Sequence, residues 1–465
     1  MSVDRARSPG ERADAPLAAA IGAARWIRSA TAGDGAGRHW LANPDPGGRS
    51  ALAPAPASLY AGAAGIVLFF LELAAATGDD GYLEDARAGV RYLASAWRGI
   101  AGVGFHHGLS GIAVALCEAG WILGDGTAEE VAAAALERVA RAARPMDPGQ
   151  REPGQREPGQ QGRGRQERGR QEPGWTGDPA LRGDGGVVLA LLHGAAMLGL
   201  PHLEDLAAEA AQRAARLAVP GHRFGDCPGL PRDAVTPGFV AGTSGTAFVL
   251  ARLYGATGER CFLEAARRGA AFVRAVSVVT GGHVAVPHHL PQGRGLFYLG
   301  FCSGAAGVAR MFCELYRVAG DPADLDWAER LAAGIVASGV PARRVPGLWD
   351  TACQCCGVAG LVELFAGLWA ATGRPAYLDF AVRLGEHLAA RSRAAGDGGL
   401  RWYQAYRRSR PGEVSADTGY MAGAAGIGAA LLHLEAALRR APERRRMILL
   451  PDNPFPAFPL PARPA

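Results

Sequence analysis

A G-x-x-G motif followed by about ten apolar residues recurs seven times along this chain. The copies are YAGAAGIVLFFLEL, HHGLSGIAVALCEA, LRGDGGVVLALLHG, VAGTSGTAFVLARLY, CSGAAGVARMFCELY, CCGVAGLVELFAGLW and MAGAAGIGAALLHLE, with first glycines at Gly62, Gly108, Gly183, Gly242, Gly304, Gly357 and Gly423. Their spacings are 46, 75, 59, 62, 53 and 66 residues. A single GxxG carries no information, but seven in register with apolar helical segments define a repeat architecture.

Between the copies lie segments of a second kind: CFLEAARRGAAFVRAV (261–276), DLDWAERLAAGIVASG (324–339) and AYLDFAVRLGEHLAARSR (376–393). Their apolar residues recur at i, i+3, i+4 and i+7, the pattern of a half-buried surface helix. The helix after each glycine pair is apolar nearly all round and is expected to be buried. Seven such alternations predict an all-α fold, a closed α/α toroid of seven inner and seven outer helices. Each glycine pair then stands at the N-terminal end of an inner helix, where glycine permits φ > 0 and close backbone approach.

The long second spacing has a visible cause. Residues 147–174 repeat PGQRE and contain no apolar residue, so they cannot offset their ordering entropy by burial. They are expected to form a disordered insertion, whose removal leaves about 47 residues, close to the first spacing. The toroid is assigned to residues 51–445. Residues 1–50 form an N-terminal segment, partly disordered and partly helical. Residues 446–465 form a proline-rich tail, extended and packing on the ring.

Composition narrows the chemistry. The chain of 465 residues has no lysine, so all 49 basic residues are arginine. That excludes Schiff-base chemistry, a P-loop lysine and a kinase strand lysine. A net charge of +5, with no basic block interleaved with aromatics, gives no sign of a nucleic-acid surface. The N-terminal stretch has scattered charges and no apolar h-region, and no 18-residue uncharged apolar run appears. A soluble cytoplasmic protein with reduced thiols is expected, with neither a signal peptide nor a membrane span.

What distinguishes one repeat from another is the pair of residues before each first glycine, which would face the mouth of the ring. These are Tyr60-Ala61, His106-His107, Leu181-Arg182, Val240-Ala241, Cys302-Ser303, Cys355-Cys356 and Met421-Ala422. The fifth and sixth turns, neighbours in the ring, bring Cys302, Cys355 and Cys356 together. Three thiols with a fourth position open match a catalytic rather than a structural zinc site. Cys353 lies at a poorer register. Cys117 and Cys313, on inner helices, and Cys261, opening an outer one, are expected to be buried thiols, and Cys227 sits in the loop GDCPGLP. His193 and His433 fall within inner helices and are expected not to be ligands.

With these motifs, above all LGFCSGAAGVARMF, QCCGVAGLVELF and GYMAGAAGIG, the sequence resembles the lanthionine synthetase C (LanC-like) family of peptide cyclases from about residue 55 to 440. The resemblance implies that Cys302, Cys355 and Cys356 bind Zn²⁺, with cysteine at a position where the family commonly has histidine. It implies addition of a peptide cysteine to a dehydroalanine or dehydrobutyrine, giving a thioether ring in a ribosomally synthesised precursor peptide. A separate dehydratase partner is then required, because this chain has no means of phosphorylating the peptide.

One departure bears on the chemistry. The enolate formed in such an addition must be protonated, and Ala241 stands where the family usually has a histidine. Asp178 matches the family's aspartate only with a shift of one residue. The replacement acid–base candidates are His107, Asp178, Asp350 and His289, with His288 beside His289 in the loop leading to the fifth repeat and Tyr403 following the sixth outer helix; Arg182 and Arg310 are candidates to balance a thiolate centre. Two other functions remain open on sequence: a zinc-binding peptide-recognition or scaffold protein without turnover, favoured by Ala241, and a zinc-thiolate addition of the glutathione type. An α/α-toroid glycosidase would need paired carboxylates at the mouth, and these positions offer none.

Overall fold

The computed structural model describes residues 9–34, 37–45, 55–142, 178–217, 222–223, 231, 233–348, 351–405, 411–439 and 447–456. The insertion over 147–174 lies outside them, as do Asp350 and Cys227. Among the described residues there are fourteen α-helices. The first is α1 (Pro9–Ser29). Six pairs follow: α2 (Ala63–Thr77) with α3 (Asp80–Ala96), α4 (Leu109–Leu123) with α5 (Gly126–Ala142), and α6 (Asp184–Leu198) with α7 (His202–Leu217). Then come α8 (Thr243–Thr257) with α9 (Arg260–Val276), α10 (Ala305–Ala319) with α11 (Pro322–Ala337), and α12 (Val358–Thr372) with α13 (Pro375–Arg391). The last helix is α14 (Ala424–Arg439).

The even-numbered helices pack on one another in order, and α14 packs on α2, closing an inner ring of seven. Each odd-numbered helix from α3 to α13 packs on the inner helix preceding it. The seventh outer position is filled by α1, which lies against α14. The fold is therefore an α/α toroid, with the seventh pair completed by the N-terminal segment. No helix is long and apolar enough to cross a membrane.

The inner helices α2 to α12 are each 15 residues long and are bounded by glycine at both ends. At the N-terminal end of each of these helices the first motif glycine has negative φ, for example −116° at both Gly304 and Gly357. Close approach, not left-handed backbone, is the reason for glycine there. A Cβ on Gly357 would collide with the Thr351–Cys353 backbone, and one on Gly360 with the Gln354 carbonyl. No side chain caps these helices. The free N–H groups of the first turn are taken up by the chain folding back over them: Val358 N–H donates to the Thr351 carbonyl (3.2 Å) and Ala359 N–H to that of Ala352 (3.0 Å). Two of the outer helices, α3 and α11, use side chains instead, where Asp79 accepts from Gly81 N–H and Asp321 from Ala323 N–H.

Connections at the two ends of the ring differ. From an inner helix to its outer partner the chain turns tightly on a left-handed glycine. From an outer helix to the next inner one it takes longer paths that carry small antiparallel hairpins: Thr31–Asp34 with Gly37–Trp40, Val278–Thr280 with His283–Ala285, and Arg393–Ala395 with Gly399–Arg401. These longer paths all lie at the end bearing the motif turns. The opposite end receives the C-terminal segment 447–456. It turns inside the ring, with Asn453 N–H donating to the Leu450 carbonyl (2.8 Å), and buries Ile448, Asp452, Asn453 and Phe455. Its partners lie on α2, α8, α10 and α12.

Candidate metal centre

At the mouth, among the described residues, six backbone hydrogen bonds, all running one way round, stitch the seven turns at every junction but that between the second and third. Met421 N–H donates to the Tyr60 carbonyl (2.9 Å) and Tyr60 N–H to that of His106 (2.9 Å). Arg182 N–H donates to Val240, Val240 to Cys302, Cys302 to Cys355 and Cys355 to Met421, at 2.8–3.1 Å. The positions two before each glycine are thus held in a narrow circle by the backbone itself. In the third repeat the donor is Arg182, one residue later than elsewhere, because that turn is one residue shorter: Asp184 N–H reaches back to the Asp178 carbonyl, where Val358 reaches to Thr351 and Ala305 to Tyr298. The shift of one residue required to align Asp178 in the sequence is this shortened turn.

This circle brings Cys302, Cys355 and Cys356 together, their Sγ atoms all within 4.8 Å of one another. Cys302 Sγ lies 3.2 Å from Cys356 Sγ, which lies 3.5 Å from Cys355 Sγ. Three thiolates at about 2.3 Å from a tetrahedral Zn²⁺ would stand about 3.8 Å apart, so the cluster fits such an ion with small adjustments. Among the described residues this is the one group of three or more His, Cys, Asp or Glu that could hold a metal ion. Without the ion, hydrogen bonds from Cys355 and Cys356 hold the Cys302 thiol well below the ordinary thiol range against the opposing effect of burial. The same bonds to Cys302 push the thiols of Cys355 and Cys356 up. The arrangement suits a cation at its centre.

Neighbouring groups fix the two turns. Thr351 Oγ1 donates to the Cys356 carbonyl (3.1 Å). Buried Gln404 accepts from Ala352 N–H (3.0 Å) and Cys353 N–H (3.1 Å) and donates to the Ala422 carbonyl, tying the sixth turn to the seventh. Gly300 lies so close to Cys356 that a Cβ there would press on its backbone. Nothing in the local sequence marks Gln404 for this role, since it comes from a different loop.

The acid–base candidates are placed unequally. His107 is exposed and stacks on Tyr60 at 4.7 Å between ring centroids. Its neighbour His106 is buried, interacts electrostatically with Cys302, and has its Nε2 without a hydrogen-bond partner. Burial, then His107, pushes the His106 pKa down to about 3, so the ring is neutral at physiological pH. His106 occupies the same place in its turn as Cys302 and Cys355 do in theirs, a signal present in the sequence. His289 is buried, its ring packed against Gly293, with Nδ1 2.9 Å from that of His288. It is His288, packed against Tyr298, that influences Cys302. Asp178 pairs with Arg182 (3.0 Å) and caps Ala180 N–H. Tyr403 bonds Asp45 at the rim.

The remaining cysteines and the two candidate arginines are not part of the three-thiol cluster. Cys353 is buried with its thiol pushed up to about 12 by burial, as are Cys117 and Cys313. Cys261 is exposed, contrary to expectation, because it takes the outward side of the first turn of α9, whose inward side is filled by Phe262 and Leu263. Arg310 packs on the Phe301 ring and reaches Asp452, and Arg182 is engaged by Asp178.

Comparison with known proteins bears on the family and the fold. The family model described as "Lanthionine synthetase C-like protein" matches residues 53–443. Among solved structures, one described as "Nisin cyclase" matches with a TM-score of 0.54 at 13% identity, covering 83% of this chain and 95% of that one. The Lin0763 protein from Listeria innocua matches with a TM-score of 0.47 at 15% identity, covering 94% and 99%. At 13% identity the likeness to the first of these speaks to fold alone. No curated protein matches the chain.

Proposed function

The chain belongs to the lanthionine synthetase C-like family, and on that premise we propose that it is a zinc-dependent cyclase acting on a ribosomally made peptide. The observation that carries the reading is the convergence of three thiols, from two adjacent turns, at the end of the toroid that bears the motif turns. In the proposed reaction a peptide cysteine adds to the β-carbon of a dehydroalanine or dehydrobutyrine. A C–S bond forms, the Cα–Cβ π bond is consumed, and the thiol proton ends on Cα.

Cys302, Cys355 and Cys356 hold the zinc, which when bound lowers the pKa of a further thiol so that thiolate is available at neutral pH. His106 is the group we assign to the proton: its buried imidazole interacts electrostatically with Cys302 and has Nε2 without a hydrogen-bond partner, and a ring that stays neutral at physiological pH can relay the thiol proton toward Cα without holding it. The exposed His107 ring stacked on Tyr60 offers the incoming peptide a flat face at the mouth. The peptide must arrive dehydrated, so a separate dehydratase belongs to the proposal. The cytoplasm, where thiols stay reduced, is the compartment it fits.

The test is to incubate zinc-loaded protein with a dehydrated, cysteine-containing peptide and follow free thiols by alkylation and mass spectrometry. Thiol loss above the enzyme-free rate, abolished in Cys302→Ala and reduced about 10²-fold or more in His106→Ala, is the expected outcome. Thiol loss no faster than the control with several unrelated peptides would replace the cyclase by a second reading. That reading, favoured by Ala241, is a zinc-bearing peptide-binding protein without turnover.

A further inference from the structure

The far end of the ring holds a group of buried ionisable side chains that the cyclase reading does not use. His433 of α14 lies between two carboxylates, with Nε2 2.8 Å from Glu72 Oε1 and Nδ1 2.6 Å from Glu363 Oε1. Burial opposes charge on this ring, but Glu363 and Glu72 outweigh it and push its pKa up to about 10. The C-terminal segment is fitted to this group. Ile448 N–H donates to Glu72 Oε1 (2.6 Å), Asn453 Nδ2 lies 3.5 Å from Glu363 Oε2, and Arg252 donates to the Asn453 carbonyl. The Phe455 ring occupies the space a side chain at Gly367 would take.

Two paths lead from this segment to the metal-bearing turns. On one, Asp452 meets Arg310, with Nη1 3.5 Å from its carbonyl and 3.8 Å from Oδ1, and the guanidinium lies over the Phe301 ring at 4.7 Å. Phe301 immediately precedes Cys302. On the other, Asn453 contacts Glu363, which also accepts from the Gln354 amide, and Gln354 immediately precedes Cys355. A cavity of about 20 Å³ between the two paths is lined by Phe301, Arg310, Gln354, Glu363, Tyr420 and Asp452. Its lining mixes polar and apolar groups, and it has room for a water bridging the polar ones.

We propose that the segment Met447–Pro456 is a positioning element for the metal centre, with Asp452 setting the Cys302 turn through Arg310 and Asn453 setting the Cys355–Cys356 turn through Glu363 and Gln354. An apolar plug of equal volume would be cheaper to bury than Arg310, Asp452, Glu363 and His433, all of which are buried here. What the polar plug adds is register, because each charge accepts only one arrangement of the two turns. The residues involved contact neither substrate nor metal and act through their neighbours, as outer partners of ligands do. The inference rests on the reading of the three cysteines as a metal centre.

The test uses the full-length protein with Asn453→Ala, Asp452→Asn and Arg310→Met, and reads zinc affinity by chelator competition together with the absorption of the Co²⁺-substituted centre. The expected result is about 10-fold weaker zinc and displaced Co²⁺ ligand-field bands in Asn453→Ala and Arg310→Met, with a smaller change in Asp452→Asn. Leu384→Ala in α13, a buried change remote from both paths, controls for general destabilisation and should leave affinity and spectrum unaltered. Variants that bind Co²⁺ with the parent spectrum and affinity overturn this inference alone, as does equal weakening in Leu384→Ala. Parent protein that takes up no Co²⁺ overturns the metal reading and this inference with it.

Discussion

At the scale of single residues, the arrangement turns on which of two adjacent side chains looks inward. The three thiols were legible in the sequence because they sit one and two places before a glycine that begins a buried helix. The choice between His106 and His107 was not, since adjacent residues in a turn diverge and the chain's curvature decides which faces the axis. The structure buries His106 and exposes His107. A histidine whose pKa falls to about 3 on folding, against about 6.5 unfolded, leaves the unfolded chain holding the extra proton at acid pH. Its contribution to stability is therefore complete above 6.5 and is lost as pH falls toward 3. The metal-free protein should lose up to about 1.4 kcal/mol per pH unit over this window from His106. Denaturant titrations at pH 7 and 4.5 should show a smaller drop in His106→Gln, and an equal drop would contradict the burial described. His433 runs the other way: its charged ring stabilises below 6.5, and that contribution is lost as pH rises toward 10.

At the scale of elements, the G-x-x-G motif marked where each inner helix begins, but the reason for glycine proved to be crowding and not positive φ. The position where helices end was equally present in the sequence and easily overlooked: from α2 to α12 a left-handed glycine stands sixteen residues after the first motif glycine, as Gly320 does after Gly304. The two classes predict different losses. Gly320→Ala meets open space and suffers only its φ of 70°, so it should cost about 1 kcal/mol in a denaturant titration and leave zinc content unchanged. Gly360→Ala drives a methyl into the Gln354 carbonyl, inside the turn that carries Cys355 and Cys356. It should cost several times as much and lower bound zinc, measured by metal analysis. The one-residue shortening of the third turn, which displaced Asp178 from alignment, could not be read from spacing alone because the flanking connections also vary in length.

At the scale of the whole molecule, seven repeats predicted seven inner helices, and the ring has them. The seventh outer helix was less visible, because α1 precedes the first motif and is separated in sequence from the helix it covers. Its buried face is mostly alanine, with Ala20, Ala23, Ala24 and Ile27 against α14. Ala20→Glu should lower stability by about 3 kcal/mol or more by placing a carboxylate in that seam, while Ala18→Glu on the exposed face should change little, as thermal unfolding would report.

The pairing of α1 with α14 also sets an order of events during synthesis. The earliest of the fourteen helices to leave the ribosome is the one whose partner is made last, some 400 residues later. Until then its alanine face has nothing native to cover it, and the nascent ring is an open arc with two unsealed edges. Such long-range closure is slow and exposes apolar surface to other chains. For this protein, aggregation should be decided in the interval between translating α1 and releasing α14, and slowing translation after α12 should lengthen it.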